Sequence, residues 1–270
     1  MPGLVAVVLA AGAGVRLRPV SSYLPKPLCP VGGVALVDLA LDRAAPVTEE
    51  IAVNLHDRAE QIATHIRSRP DGPSIHLSVE APEALGTAGA LGALRGWIGG
   101  RDVLVHNADV WTPADLRAFV AGWDRTRIRV LITAAFGPSV GLVATLLPWS
   151  LVAPLEPLPS GLYETTLRAA WSTGQIEAIV LDEPFVDCGT PADYLEANLG
   201  AADRAGGTIV HPGAVVTGAV ERSVVGAGAV VQGSVVDSVL WDGAVVGPAE
   251  RLERVIRVGP ADRDVRLHER

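Results

Sequence analysis

Lysine is nearly absent from this chain: of 22 lysine and arginine residues, only Lys26 is a lysine. Cysteine is scarce as well, with Cys29 and Cys188 alone in 270 residues and no CxxC pair. That excludes a disulfide framework and thiolate zinc modules, and it fits a reducing cytoplasm, the expected compartment. Aromatic residues make up only 4%, so Val, Ala and Leu must fill a core drawn from 49% apolar residues. Basic runs are missing too. The net charge is −8, and Arg251, Arg254 and Arg257 alternate with Glu250 and Glu253, so no nucleic-acid surface is expected. No stretch approaches the roughly 20 unbroken apolar residues that span a membrane. Met1-Pro2-Gly3 lacks the basic start of a signal peptide, so neither a membrane span nor a leader is expected.

What is present is alternation. Residues 4–9 (LVAVVL) read as a buried parallel strand ended by glycine, 50–54 as a second strand and 102–106 as a third. Residues 74–80 alternate as a strand, and further strands are expected at Val130–Phe136 and Val140–Leu146. Residues 35–44, 58–67, 86–97 and Tyr163–Thr173 carry helical patterns. Short apolar strands alternating with helices imply an α/β fold: a Rossmann-like mixed, mostly parallel sheet with helices on both faces. Ligands in such sheets bind at the carboxyl ends of strands, where Gly12, Glu80 and Asp109 fall. From about residue 208 Gly-Ala-Val-Val recurs at Gly213, Gly228 and Gly243, a period of 15 residues echoed by Ala219, Ser234 and Ala249. Such a period suits the coils of a β-solenoid. The charged third copy reads as a capping coil. The expected organisation is an α/β domain over 1–205, solenoid coils over 206–262 and a tail at 263–270, with fraying expected from Pro260 to Arg270.

The glycine-rich strand exit carries the chemistry. Gly12 and Gly14 permit a tight turn and let backbone N–H groups reach a phosphate. Arg16 and Lys26 add positive charge, and a lysine delivers a compact point charge where an arginine fork needs bidentate geometry. The spacing lacks the third glycine of a dinucleotide loop and the Gly-Lys-Ser/Thr ending of a P-loop. Asp109, closing a strand, and Asp187 are two hard carboxylates of the kind that, with substrate phosphates, complete an Mg²⁺ shell.

Several motifs in order resemble those of sugar-1-phosphate nucleotidylyltransferases, in particular the mannose-1-phosphate guanylyltransferase-like branch. They are Leu9-Ala10-Ala11-Gly12-Ala13-Gly14-Val15-Arg16-Leu17-Arg18-Pro19, Pro25-Lys26-Pro27, Val53-Asn54, Leu85-Gly86-Thr87-Ala88-Gly89-Ala90, Asn107-Ala108-Asp109 and Asp187-Cys188-Gly189-Thr190-Pro191-Ala192-Asp193-Tyr194. The resemblance implies that a sugar-1-phosphate and a nucleoside triphosphate are joined with loss of pyrophosphate, and that the repeats form a left-handed β-helix. On it, residues Leu9 to Arg16 with Lys26 hold the triphosphate, and Gly86, Thr87 and Ala88 wall the base and ribose. Arg16, Lys26 and Asp109 are catalytic, and Asp109 and Asp187 bind Mg²⁺. Glu80, accepting from guanine N1–H and N2–H together, favours GTP. The implied partners are the two substrates, with self-association or a regulatory partner through the β-helix.

One part of the pattern is missing. The family carries a Glu-Lys-Pro-type segment whose lysine binds the sugar phosphate, and between Arg129 and Arg168 there is no basic residue. Two readings follow: a transferase with an altered sugar site, in which Arg168 is the nearest replacement cation, or a weak or inactive homologue that binds nucleotide and regulates a partner.

Overall fold

The computed structural model describes residues 3–70, 72–136, 141–259 and 263–267. They divide into two compact units, Met1–Ala13 with Val37–Phe185, and Gly14–Leu36 with Val186–Arg270. This division differs from a single cut at residue 205, because Gly14–Leu36, distant in sequence, and residues 186–205, adjacent to the coils, both join the solenoid.

The first unit is built on a seven-stranded sheet. Its strands are β1 (Leu4–Leu9), β2 (Glu50–Leu55), β3 (Ser74–Val79), β4 (Asp102–Asn107), β5 (Ile128–Ile132), β6 (Leu142–Leu147) and β7 (Ile176–Val180), in the order β7-β5-β6-β4-β1-β2-β3. All pairings are parallel except those of β6, which runs antiparallel to both β4 and β5. Central strands read as apolar runs because both faces are covered: Val5, Ala6, Val7 and Val8 are all fully buried. β3 lies at the edge, and its alternating residues are correspondingly half exposed. Helices α1 (Leu36–Ala44), α2 (Ala59–Arg67) and α3 (Gly86–Ile98) follow their expected ranges within about a turn. The strand expected over 130–136 is instead Ile128–Ile132, drawn back by its pairing with β6 and β7. The helix expected over 163–173 begins with a π-helical turn, Tyr163–Leu167, before Arg168–Ser172. No helix among the described residues is long and apolar enough to cross a membrane.

The second unit holds helix α4 (Pro191–Arg204) and a parallel solenoid with three short strands per coil. Register confirms the period: Val215 pairs with Val230 and Val230 with Val245, and Val220 pairs with Val235. The last coil differs. Ser234 faces Arg251 rather than Ala249, and Val239 faces Ile256, so the offset there is two residues longer. Corners recur with the fold. Arg222, Asp237 and Arg254 each adopt a left-handed φ of 43°, 45° and 52°, and Arg222 donates to Asp237 at 3.0 Å. Beside them Ser223 Oγ accepts from Ser238 N, and Ser238 Oγ from Val255 N, both at 3.0 Å. The expected fraying is corrected at residues 263–267; residues 260–262 and 268–270 lie outside the described residues. Asp264–Arg266 is a strand antiparallel to Val255–Arg257 and covers the final edge, which would otherwise expose unpaired backbone. Charge in the last coil turns inward: Arg257, 1% exposed, is held by Glu250 at 3.0 Å and by Asp264 at 2.8 Å.

The glycines of α3 explain its small-residue sequence. A Cβ on Gly89 would lie 2.2 Å from the Leu158 carbonyl oxygen, and one on Gly92 would lie 2.3 Å from Glu156. The helix therefore receives residues 156–160 main chain against main chain. Its opposite face sends Ala88, Leu91, Leu94 and Ile98 into the sheet core with Val5, Val7 and Val105. A Gly→Ala change inside a helix ordinarily gains about 1 kcal/mol from propensity. Here steric conflict with backbone reverses the sign. Gly89→Ala should lose roughly 1–3 kcal/mol in urea denaturation, whereas Gly96→Ala, where a Cβ meets nothing within 4 Å, should be neutral or stabilising.

Candidate functional site

At the carboxyl edge of the sheet the chain leaves β1 for β2 on one side, with β4 on the other, a switch point of strand order. Leu9 accepts from Ala108 N through its carbonyl at 3.0 Å. The Ala10 amide donates to Asn54 Oδ1 at 2.9 Å, and both Ala10 and Ala11 are buried. These residues support the loop from beneath. Gly12 and Ala13 are exposed, and a Cβ on Gly12 would meet no protein atom within 4 Å, which leaves open space beside its backbone.

Glu80 departs from expectation. It is 4% exposed; Oε1 accepts from Asn54 Nδ2 at 2.8 Å and Oε2 from the Leu85 amide at 2.7 Å. With both oxygens engaged and the side chain buried, it positions the start of α3 and is not presented as a reader of guanine. Gly86, with φ +69°, makes the turn, and its Cβ would lie 2.6 Å from Ser160 O. Thr87 Oγ1 accepts from Leu162 N at 2.6 Å, and Ala88 N donates to Ser160 O at 3.0 Å. Residues 160–162 thus engage the amino end of α3.

The second unit carries the cations. Gly14 has φ +60° and its Cβ would fall 2.9 Å from Lys26 Cβ, so glycine is needed for both backbone conformation and space. Val15 and Arg16 are exposed in the following turn, whereas Lys26 is 6% exposed. Lys26 Nζ lies 3.5 Å from Asp187 Oδ1, and Arg16 Nη2 lies 3.6 Å from Asp187 Oδ2. The Asp187–Tyr194 run divides its work. Asp187 faces both cations. Gly189 leaves room for the Arg16 guanidinium, 3.0 Å from where a Cβ would sit. Thr190 caps α4 by accepting from Asp193 N, and Pro191 opens the helix. Buried Tyr194 donates to Pro30 O and accepts from Trp241 Nε1 at 3.0 Å; desolvation pushes its phenol pKa well up. The half-exposed Asp187 carboxylate offers hard oxygens of the kind a divalent cation takes.

Back in the first unit, Asn107 ends β4 and Asp109 follows it, both half buried. Behind them His106 is fully buried between Arg43 Nη1, 2.7 Å from Nε2, and Val143 O, 2.7 Å from Nδ1. Burial, then the Arg43 charge, lowers its pKa to about 3, so the ring is neutral, accepting from Arg43 and donating to Val143. A cavity of about 220 Å³ lies at the ends of β1 and β4, lined in part by Leu9, Thr87, Asn107 and Leu162. Arg168 is exposed and does not line it.

The family model for nucleotidyl transferases matches residues 5–139, half of the chain. The chain belongs to this family. Among curated relatives of this nucleotidyl transferase, N-acetylmuramate alpha-1-phosphate uridylyltransferase of Caulobacter vibrioides is 37% identical over 139 residues, covering 48% of this chain and 57% of that protein. The Neisseria meningitidis protein of the same name is 36% identical, over 42% of this chain and 50% of its own length. The chain therefore spans about half the length of these relatives. A solved UDP-glucose pyrophosphorylase from Acinetobacter baumanii shares the fold at TM-score 0.61 and 18% identity, over 76% of this chain and 94% of that one.

Sequence patterns single out the glycine loop and both aspartates but give no role to His106, whose partners come from α1 and β6. Its ordinary pKa of 6.5 falls to about 3 on folding, so the unfolded chain binds more protons between those values. Stability from this group is complete above about pH 6.5 and is lost as pH falls toward 3. Between pH 7 and 4.5 the native protein should lose roughly 2–3 kcal/mol more than His106→Gln, measured as urea midpoints at both pH values.

Proposed function

We propose that this nucleotidyl transferase joins a nucleoside triphosphate to a sugar-1-phosphate and releases pyrophosphate. An oxygen of the sugar phosphate attacks the α-phosphorus. A new P–O bond forms as the bond from the α-phosphorus to the bridging oxygen breaks, and pyrophosphate leaves with that electron pair. No protein nucleophile is required; positioning and charge neutralisation carry the reaction. The single observation that carries this reading is the buried Lys26 ammonium directed at Asp187 beside a glycine turn that only a residue without Cβ can make. On this reading the Gly12–Gly14 backbone and Arg16 hold the phosphates, and Lys26 meets the charge that develops on them. Asp109 and Asp187 are each a hard carboxylate of the kind that would hold Mg²⁺, and the ion would neutralise phosphate charge.

The base assignment changes from the GTP expected on Glu80. That carboxylate is engaged by Asn54 and Leu85, which removes the guanine-specific acceptor. Similarity to two uridylyltransferases at 37% and 36% identity supports UTP, and a guanylyltransferase at 31% keeps GTP as the alternative. A second reading, a nucleotide-binding regulator, draws on the absence of any charged residue among the described lining of the 220 Å³ cavity and on the exposure of Arg168.

Incubation with Mg²⁺, each nucleoside triphosphate and a panel of sugar-1-phosphates should release pyrophosphate, fastest with UTP. Nucleotide binding by calorimetry without pyrophosphate from any pair would select the regulator. Within the transferase reading, Lys26→Ala should lower kcat by about 100-fold while changing the nucleotide Kd less than tenfold. Lys26→Arg should also be impaired, since a planar fork does not replace the ammonium. Steady-state kinetics on folded variants, checked by circular dichroism, reads both; unchanged turnover would remove Lys26 from the reaction.

A further inference from the structure

Arg43 lies half buried in the last turn of α1, and the reaction described above makes no use of it. Its guanidinium is divided between two targets on either side of one turn. Nη1 donates to His106 Nε2 at 2.7 Å, and Nη2 donates to Val110 O at 3.3 Å. Between those two contacts lie only Asn107, Ala108 and Asp109. The middle residue has its own anchor: Ala108 is fully buried, and its amide donates to Leu9 O at 3.0 Å. His106 is fixed from its other side, where Nδ1 donates to Val143 O at 2.7 Å. Each of these groups belongs to the first unit. One guanidinium therefore holds the turn at both flanks, and the exit of β1 holds it at its centre.

A planar guanidinium suits this task. Its N–H groups are fixed in a fork, so two acceptors engage it together only in one relative position, whereas an ammonium is a single point charge on a flexible stem. One acceptor here is a buried ring at the end of β4, and the other is main chain, so the fork sets the path of the backbone between them. Asp109, half buried, is carried on that path. We propose that Arg43 is a positioning residue for Asp109: it fixes the turn from His106 to Val110 so that the carboxylate is offered to a divalent cation in one place. The proposal rests on the assignment of Asp109 to Mg²⁺ within the transferase reading. Mg²⁺ demands near-ideal octahedral geometry, so displacement of an oxygen ligand is poorly tolerated. Loss of an outer partner that orients a metal ligand costs roughly 10–100-fold in metal affinity.

The test compares the whole protein with Arg43→Met, which removes the fork, and Arg43→Lys, which keeps the charge without the fork. Mn²⁺, read by electron paramagnetic resonance, stands in for Mg²⁺ and is titrated into each protein saturated with a non-hydrolysable UTP analogue. Both variants should bind Mn²⁺ about tenfold or more weakly than the native protein, while the Kd of the analogue without metal changes less than about threefold. The Mg²⁺ concentration that gives half-maximal turnover should rise in step. Mn²⁺ affinity within about twofold of native in folded Arg43→Met overturns the proposal, even where the urea midpoint falls, because Arg43 then serves stability alone. Full recovery of Mn²⁺ affinity by Arg43→Lys also overturns it, since charge without the fork would suffice. If Arg43→Met does not fold, Arg43→Lys decides in the same way. If the native complex binds no Mn²⁺, the metal assignment falls on the native protein alone, and hydrogen exchange over residues 105–111 decides the brace. Faster exchange confined to that segment in either variant supports it; unchanged or uniformly faster exchange overturns it.

Discussion

A buried chain of three hydrogen bonds underlies the carboxyl edge of the sheet: Ala10 N to Asn54 Oδ1, Asn54 Nδ2 to Glu80 Oε1, and Leu85 N to Glu80 Oε2. It links the exits of β1, β2 and β3 to the first turn of α3. Leaving any one of these buried groups without a partner costs about 1–3 kcal/mol, more for the carboxylate, so each member enforces the next. The loop that begins at Gly12 therefore leaves β1 from a rigid base. The amino end of α3 is set by the same chain. From there the glycine face of α3 determines where residues 156–162 run, and Leu162 and Tyr163 line the neutral cavity.

The second unit solves a different problem, the presentation of cations. Arginine and lysine side chains lose entropy when held in one geometry, and a buried ammonium is costly without a partner. Lys26 is held by packing against Gly14 and by Asp187, which precedes the capped start of α4. Tyr194 then ties α4 both to Pro30 and to Trp241 of the solenoid. Asn198 adds a second tie, accepting from Gly32 N at 3.0 Å. The solenoid therefore acts as a brace for the helix that follows Asp187. Arg222 with Asp203, and Arg254 with Glu196 at 2.9 Å, extend that brace along α4 at the exposed corners.

Charge and shape are divided between the units. Arg16, Lys26 and Asp187 belong to the second, and a chamber lined without charge belongs to the first. The stretch between Arg129 and Arg168, which supplies part of that lining, is empty of basic residues. Arg129 itself is engaged elsewhere, buried against Glu177 at 2.7 Å and the carbonyls of Phe119, Ala121 and Gly122.

Local regularities were legible in the sequence by itself. The strand–helix alternation, the glycine exit after β1 and the 15-residue period each depend on backbone preferences and burial patterns within a few residues. The tertiary structure decided whatever depends on meetings between distant segments. Glu80 became a buried support because Asn54 and Leu85 converge on it. Gly89 and Gly92 became obligatory because residues 156–160 lie on them. The last coil is two residues longer, and its edge is closed by Asp264–Arg266, because a solenoid end must pair its backbone. His106 is neutral because Arg43 and Val143 enclose it, and the cavity is apolar because β1, β4, β6 and the turn at Tyr163 each contribute one wall. None of these partners lies within a helical turn or strand of its counterpart, so periodicity carries no trace of them; only folding brings them into contact.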